Sequence, residues 1–311
     1  MKVLIAGANG LAGSALVREF SRLGDLVTKF SRENADFTSF SDTADFISES
    51  KPDLFINAAA RVGGISANNR YPVDFLIENI QIQNNLAKAA HLSGVKKYIF
   101  LGSSCIYPRD SPQPIKEEYL MTGKLESTNS AYSVAKIAGI ELVNAYRKQF
   151  GHPWISLMPT NLYGPNDNFK TQESHVLPAM IRRFVEAVEN DRPVVTFWGT
   201  GSAFREFLHV DDFAKAVRVA ANNYNSEAPL NIGSSVEITI KDLAGKVAEI
   251  TGYKGEIVWD QQKLDGTPRK LLDSSRIRGL GWRPEISLDQ GIREVVQWYR
   301  SVISHNGEVR I

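Results

Sequence analysis

Cysteine occurs once in this chain, at position 105, so no intrachain disulfide framework can form and a reducing compartment is expected. An excess of charge of either sign is also missing, because 36 Lys and Arg stand against 35 Asp and Glu. That balance excludes a general binder of phosphate backbones, which needs a clustered basic surplus, and no nucleic-acid partner is expected. The opening segment Met1-Lys2-Val3-Leu4-Ile5-Ala6-Gly7 holds too short an apolar run for a signal peptide. No later run approaches the ~20 residues a membrane helix needs. A cytoplasmic location without membrane attachment follows as the expectation. Repeats, low-complexity tracts and flexible linkers are lacking. No Cys/His cluster has metal-ligand spacing, so no metal is expected.

What is there is an ordinary globular composition, 43% apolar and 23% charged over 311 residues, enough for one large or two medium domains. The first half alternates short apolar runs with longer amphipathic ones, the pattern of a parallel sheet covered by helices. Strands are predicted near 2–6, 26–30, 54–57, 97–101 and 154–159, with helices near 11–23, 41–50, 73–92 and 131–150. Buried parallel strands such as Tyr98-Ile99-Phe100-Leu101 need no polar alternation. Beyond Tyr163-Gly164-Pro165 the rhythm loosens into a polar loop, a helix to about 190 and a strand at 194–197. Thr239-Ile240-Lys241-Asp242 and Ser287-Leu288-Asp289-Gln290 open two later helices with capping-box signals.

Directly after the first strand stands Gly7-Ala8-Asn9-Gly10-Leu11-Ala12-Gly13. Glycines there permit a tight turn, let backbone N–H groups approach a pyrophosphate and allow close helix–strand packing. The following helix start adds partial positive charge. Three glycines alone also fit a turn with no ligand; their place after the N-terminal strand points to a dinucleotide. The G-x-x-G-x-x-G spacing resembles the extended branch of the short-chain dehydrogenase/reductase superfamily. At the end of the second strand Ser31-Arg32-Glu33 stands where an NAD enzyme offers a carboxylate to the ribose. Arg32 can clamp a 2′-phosphate, which favours NADP, although Glu33 is close by.

Tyr132-Ser133-Val134-Ala135-Lys136 sets a phenol and an amine one helical turn apart on one face. An ammonium beside a phenol is expected to lower its pKa, so that Tyr132 passes a proton to or from a carbonyl oxygen. Such pairs are common on helix surfaces. Gly102-Ser103-Ser104 at the end of the fourth strand makes this one specific, because ligands of open α/β sheets dock there. Asn57-Ala58-Ala59-Ala60 resembles the superfamily's Asn/His-Ala-Ala motif.

Longer stretches resemble the GDP-L-fucose synthase family. They are Arg61-Val62-Gly63-Gly64-Ile65, Ser103-Ser104-Cys105-Ile106-Tyr107-Pro108, and the run from Pro159-Thr160-Asn161 through Gly164-Pro165-Asn166 to Phe169. Ser174-His175-Val176-Leu177-Pro178, Arg205-Glu206-Phe207-Leu208-His209-Val210-Asp211-Asp212 and Asp265-Gly266-Thr267-Pro268-Arg269-Lys270 join them. Arg61 stands where bacterial members have lysine, with charge kept.

The resemblance implies a Rossmann-type doubly wound parallel sheet with a smaller C-terminal α/β substrate domain. Residues 1–162 and 205–234 would form the first, 163–204 and 235–311 the second. It implies NADPH, a GDP-linked keto-deoxy sugar as substrate, and a homodimer paired through two long helices. The activity implied is C3/C5 epimerisation of GDP-4-keto-6-deoxy-D-mannose followed by reduction at C4.

Cofactor contacts would come from Gly7, Asn9, Gly10, Leu11, Gly13, Arg32, Asp36, Phe37, Ala58, Ala59, Leu101, Gly102 and Ser103. Tyr132, Lys136, Pro159, Asn161, Leu162 and His175 complete that set. Ser103, Tyr132 and Lys136 would handle the carbonyl, with Cys105 and His175 as the family's base and acid. A lone cysteine is also a small buried apolar residue, and a histidine at a helix start also bonds local backbone. Arg183, Trp198, Arg205 and Asp265 would hold the GDP-sugar. For these, a surface arginine, a core tryptophan and an ion pair of Arg205 with Glu206 or Asp212 are the plainer accounts. His209 and Asp211 read as a helix brace. Related readings are a GDP-L-colitose synthase-like enzyme, a 4-epimerase with bound NAD and a non-catalytic NADP-sensing module. Replacing Tyr132→Phe is expected to lower turnover of the keto-sugar by about 10²- to 10⁴-fold. Unchanged turnover in a steady-state assay would remove the catalytic assignment.

Overall fold

A computed structural model describes residues 1–170, 174–262 and 266–304. The first half runs β1 (Lys2–Ala6), α1 (Leu11–Arg22), β2 (Leu26–Phe30), α2 (Phe40–Ser50), β3 (Leu54–Asn57), α3 (Ile65–Arg70), α4 (Pro72–Leu92), β4 (Lys97–Leu101), α5 (Ser130–Phe150) and β5 (Ile155–Pro159). There follow β6 (Asn161–Tyr163), α6 (Val176–Glu189), β7 (Val194–Trp198), β8 (Phe204–His209), α7 (Val210–Asn223) and β9 (Leu230–Ile232). The last part holds β10 (Glu237–Thr239), α8 (Ile240–Thr251), β11 (Glu256–Asp260), β12 (Arg269–Lys270), α9 (Ser275–Gly279) and α10 (Leu288–Ser304).

Six strands form one parallel sheet in the order β2-β1-β3-β4-β5-β9. Successive side chains leave opposite faces. Val3 and Ile5 thus meet Leu16, Phe20, Phe213 and Val217 from α1 and α7, while Leu4 meets Phe30, Phe55, Leu86 and Ile140 on the other side. The chain turns back across the sheet between β1 and β3. The crevice at the C-terminal ends of those strands is where such sheets take ligands. The doubly wound architecture read from the patterning is the one observed, with its strands within a residue of their expected bounds.

The second half differs more. A smaller sheet forms around β8, which pairs antiparallel with β10 and parallel with β12 and β6; β7 and β11 make a separate parallel pair. Helices α6, α8 and α10 close over a core of Phe184, Phe197, Leu243, Val247 and Tyr299. The segment after 204 begins as β8 in this smaller sheet, and the chain rejoins the large one through α7 and β9. Periodicity leaves β6, β8, β10, β11 and β12 unmarked. Several are only two or three residues long, and their neighbours are remote in sequence. The helix starts behave as expected: Thr239 accepts the Asp242 N–H at 3.0 Å and Ser287 that of Gln290 at 3.3 Å. Among the described residues no helix is long and apolar enough to cross a membrane.

Two glycines test this packing in opposite directions. A Cβ on Gly13 would lie 2.0 Å from the Gly7 carbonyl oxygen, a backbone atom that cannot yield. Gly13→Ala is expected to destabilise the chain by about 1–3 kcal/mol. Gly245 sits within α8 with nothing within 4 Å of an added Cβ, so Gly245→Ala gains roughly 0.5–1 kcal/mol. Urea midpoints check both.

Candidate active site

The N-terminal turn is drawn tight between β1 and β3. Gly7 holds φ at 76°, and a Cβ there would lie 2.7 Å from the Ala58 carbonyl oxygen. Helix α1 starts at Gly10 with no side-chain cap and no acidic residue in its first turn. Its leading N–H groups therefore suit an anion at this end. Across the turn Asn57 donates to Tyr98 at 2.8 Å and accepts the Ala59 N–H at 3.0 Å, fixing the loop that carries Ala58 and Ala59. The residues present thus fit a dinucleotide. Arg32 is exposed at the end of β2, facing Asp36, whose carboxyl is held low by hydrogen bonds from Thr38 and then by Arg32. Asn9 donates to Glu33 at 3.3 Å, which draws that carboxylate to the crevice mouth. Phe37 is buried against Phe30.

At the end of β4, Gly102 packs against Met158 so closely that a Cβ would lie 2.4 Å from its sulfur. Ser103 then caps a short 3-10 turn, accepting the Cys105 N–H at 3.3 Å. Helix α5 brings Tyr132 and Lys136 beneath it, both buried. Here the electrostatics differ from the expectation. Burial, with the nearby Cys105 second, pushes the Tyr132 phenol up, against the pull of the Ser103 hydroxyl. Lys136 donates to the Leu101 carbonyl at 2.8 Å and lies 5.9 Å from the Tyr132 ring centroid. Burial lowers its own pKa to about 7. Burial thus acts against the charged form of both groups. Tyr132 remains a protonated donor at neutral pH.

The thiol is placed by a different part of the chain. Strands β8 and β12 run side by side with Arg205 opposite Lys270, and Lys270 Nζ reaches Cys105 Sγ at 3.3 Å. Burial pushes the thiol up. Lys270, the Ser103 hydroxyl and Arg205 outweigh it, and the net shift is downward. Beneath them Glu206, fully buried, accepts the N–H of Ser235 at 2.5 Å and of Leu272 at 3.1 Å. Desolvation raises its carboxyl despite those bonds. Asn161 donates to the Glu206 carbonyl at 2.7 Å, locking β6 to the same strand. His175 precedes α6 without capping it. His175 is exposed at the head of α6; desolvation by surrounding protein, followed by the charge of Lys270, lowers its pKa. Lys270 therefore touches Cys105 and acts on His175 through its charge.

Comparison with known proteins agrees with this geometry. A model of the NAD dependent epimerase/dehydratase family matches residues 3–233. GDP-L-fucose synthase 1 of Arabidopsis thaliana is 52% identical over 96% of this chain and 93% of its own length. GDP-L-fucose synthase of Escherichia coli (strain K12) is 46% identical over 96% of each. The crystal structure of a GDP-L-fucose synthetase from Naegleria fowleri bound to NADP superposes with a TM-score of 0.90 at 27% identity, covering 99% of this chain and 96% of that one. The chain belongs to the GDP-L-fucose synthase family.

Of the residues that family membership points to for the nucleotide sugar, Arg183 is half-buried on α6. It donates to the Thr196 carbonyl at 3.0 Å, and its guanidinium lies 5.5 Å from the Phe197 ring centroid. Trp198, at the end of β7, is 59% exposed and is no core residue. The ion-pair account of Arg205 weakens, since Glu206 turns inward and Asp212 accepts the N–H groups of Glu285 and Ile286. Asp265 lies outside the described residues. Pro159 ends β5 and Leu162 lies in β6, on either side of Thr160-Asn161; the Thr160 N–H donates to the Ile232 carbonyl at 3.0 Å at the sheet's C-terminal edge. His209 caps α7 through Nδ1. That bond puts the neutral ring's proton on Nε2, toward Glu294 at 3.7 Å, while Arg18 holds Asp211 at 2.5 Å. With no lone pair on Nε2, the His209, Asp211 and Glu294 group acts as a brace rather than a cation cage.

Sequence reasoning did not name Lys270. Its signal was present in Arg269-Lys270 within a family stretch; the register of β12 on β8 was not. Lysine beside the sulfur extends the thiolate to lower pH. Alkylation of Cys105 by iodoacetamide is expected to titrate below the ~8.5 of a free thiol. In Lys270→Met, burial is left less opposed, so the midpoint rises and labelling at neutral pH slows by roughly tenfold. Identical profiles by intact mass would contradict the pairing.

Proposed function

We propose that this chain converts GDP-4-keto-6-deoxy-D-mannose to GDP-L-fucose, inverting C3 and C5 and reducing the C4 ketone with NADPH. The observation that carries the reading is the Lys270 amine 3.3 Å from the Cys105 thiol, beside the Ser103–Tyr132 pair, with His175 in reach of the same charge. C3 and C5 both flank the C4 carbonyl, so removal of either proton leaves an enolate on the same oxygen. Cys105, with its lowered pKa, takes the proton. The C–H electron pair moves to the ketone oxygen, where Ser103 and the protonated Tyr132 phenol stabilise it. His175, in its protonated form, returns a proton to the opposite ring face, and exchange with solvent resets both groups before the second inversion. In the reduction, Tyr132 gives its proton to the C4 oxygen.

Gly7, Asn9, Gly10, Leu11 and Gly13 would hold the pyrophosphate of NADP, with Arg32 at the 2′-phosphate and Asp36 and Phe37 around the adenosine end. Ala58, Ala59, Leu101, Gly102, Pro159, Asn161, Leu162 and His175 would line its path, with Lys136 at the nicotinamide ribose. When bound, NADPH supplies the hydride. Arg183, Trp198, Arg205 and Asp265 would hold the GDP moiety, arginine suiting a diphosphate through its planar fork. Residues 1–162 and 205–234 serve as the cofactor lobe and 163–204 and 235–311 as the sugar lobe, with β8 as their seam. A cytoplasmic location goes with the lone thiol and the reduced cofactor. The homodimer pairs the outer faces of α4 and α5, where Val73, Ile77 and Val134 are exposed.

Incubating the chain with the keto-sugar and NADPH is expected to give GDP-L-fucose by NMR, one NADPH consumed per product. Retained configuration at C3 would overturn the assignment in favour of a neighbouring GDP-sugar. Cys105→Ser is expected to cut solvent-deuterium uptake at C3 and C5 by about 10²- to 10⁴-fold. Sedimentation should give a dimer mass; a monomer mass at every concentration would remove the interface.

A further inference from the structure

The end of β2 and the phosphate turn meet at one carbonyl. Phe30 accepts the N–H of Gly7 at 2.8 Å and of Ala8 at 3.3 Å, so the two loops stand side by side at the crevice mouth. Past Phe30 the chain makes a turn locked from within. The Asn34 side chain accepts the Ser31 N–H at 2.8 Å and the Ser31 hydroxyl at 3.2 Å, and the Asn34 N–H returns to the Ser31 carbonyl at 3.0 Å. This turn presents Arg32 and Glu33 to solvent. The Glu33 N–H donates to Ser31 Oγ at 3.3 Å, and Asn9 of the phosphate turn donates to the Glu33 carboxylate at 3.3 Å. Glu33 stands twenty positions past Gly13, the spacing at which Rossmann sheets place the group that reads the adenosine ribose. Arg32 is the one Lys or Arg in residues 31–41, a stretch that also holds Glu33 and Asp36, and residues 7–13 and 57–60 hold none. Asp36 is kept ionised by the N–H and hydroxyl of Thr38, both at 2.8 Å, and by Arg32.

We propose that Glu33 is a specificity-determining residue through which this chain takes NADH as an alternative to NADPH, its carboxylate accepting the 2′-hydroxyl of the adenosine ribose and repelling the 2′-phosphate that Arg32 attracts. The proposal rests on the cofactor site assigned above. A phosphate monoester carries about 1.5–2 negative charges near neutral pH and is held through a guanidinium fork. Here one fork shares its surroundings with two carboxylates, so attraction at Arg32 is set against repulsion at Glu33 and Asp36. NADH has a 2′-hydroxyl in that place. A hydroxyl donates to a carboxylate without adding charge, and Glu33 is the carboxylate in contact with the phosphate turn. The side chain that favours one nucleotide therefore opposes the other. The nicotinamide ends are identical, so the hydride reaching C4 and the proton given by Tyr132 are the same, with NAD⁺ left in place of NADP⁺. Glu33 touches neither reacting atom and acts on nucleotide affinity alone.

Full-length parent, Glu33→Ala, Glu33→Gln and Arg32→Gln are titrated with NADPH and with NADH by nucleotide fluorescence, with circular dichroism as the folding check. The parent is expected to bind both, NADPH the tighter by no more than about tenfold. Glu33→Ala should move the two affinities in opposite directions, NADH weaker and NADPH tighter by about 3- to 10-fold each. Glu33→Gln, which keeps an acceptor and loses the charge, should tighten NADPH and weaken NADH less than Glu33→Ala does. Arg32→Gln should weaken NADPH by roughly tenfold or more, turning the preference toward NADH. In steady-state reduction the shifts fall on KM rather than kcat. A parent that prefers NADPH by about a hundredfold or more overturns the proposal. So does a folded Glu33→Ala in which both nucleotides weaken together or neither moves. Binding is measured without the keto-sugar. A parent that takes both nucleotides and leaves the sugar untouched counts against the assigned function, and the Glu33 titrations still decide the proposal.

Discussion

A lysine ammonium resting on a cysteine sulfur is the contact around which this molecule is arranged. Lys270 and Cys105 are separated by 165 positions and meet at 3.3 Å because β12 lies beside β8 and β8 runs along the mouth of the large sheet. A half-buried thiol would otherwise be pushed toward its neutral form. The cation reverses that and acts through its charge on the imidazole of His175 as well. Much of the surrounding architecture is support for this arrangement. Glu206 pins the strands on either side of the seam through two backbone N–H groups, and Asn161 fastens β6 to the same strand.

The second cluster, Ser103, Tyr132 and Lys136, obeys a different balance. Charge–charge attraction between amine and phenol was the natural expectation from their spacing. Burial acts on both groups at once and decides otherwise, raising the phenol and lowering the amine. A neutral phenol suits a group that must hold an enolate oxygen and then hand a proton to an alkoxide. The thiol is thereby tuned toward giving up its proton and the phenol toward keeping it.

Legibility in the sequence followed the range of the interactions. Strands of the large sheet announce themselves as short apolar runs because each is buried on both faces, and Gly7 and Gly13 announce the turn because nothing larger fits. Thr239 and Ser287 announce helix starts through bonds to residues three positions away. The smaller sheet was not readable. Its strands owe their conformation to partners dozens of residues distant, and Lys270 looked like any lysine after an arginine. Arg183 and Trp198 were named from resemblance, and their placement on α6 and β7 came from the packing of those elements.

The amino-acid sequence by itself determined the doubly wound sheet, the phosphate turn, the Tyr132–Lys136 spacing and the family, because each is written in residues close together along the chain. Tertiary structure alone decided which cation meets the thiol and in which direction burial moves the phenol and the amine. Those outcomes depend on desolvation and on distances between remote segments, and neither quantity exists until the chain has folded.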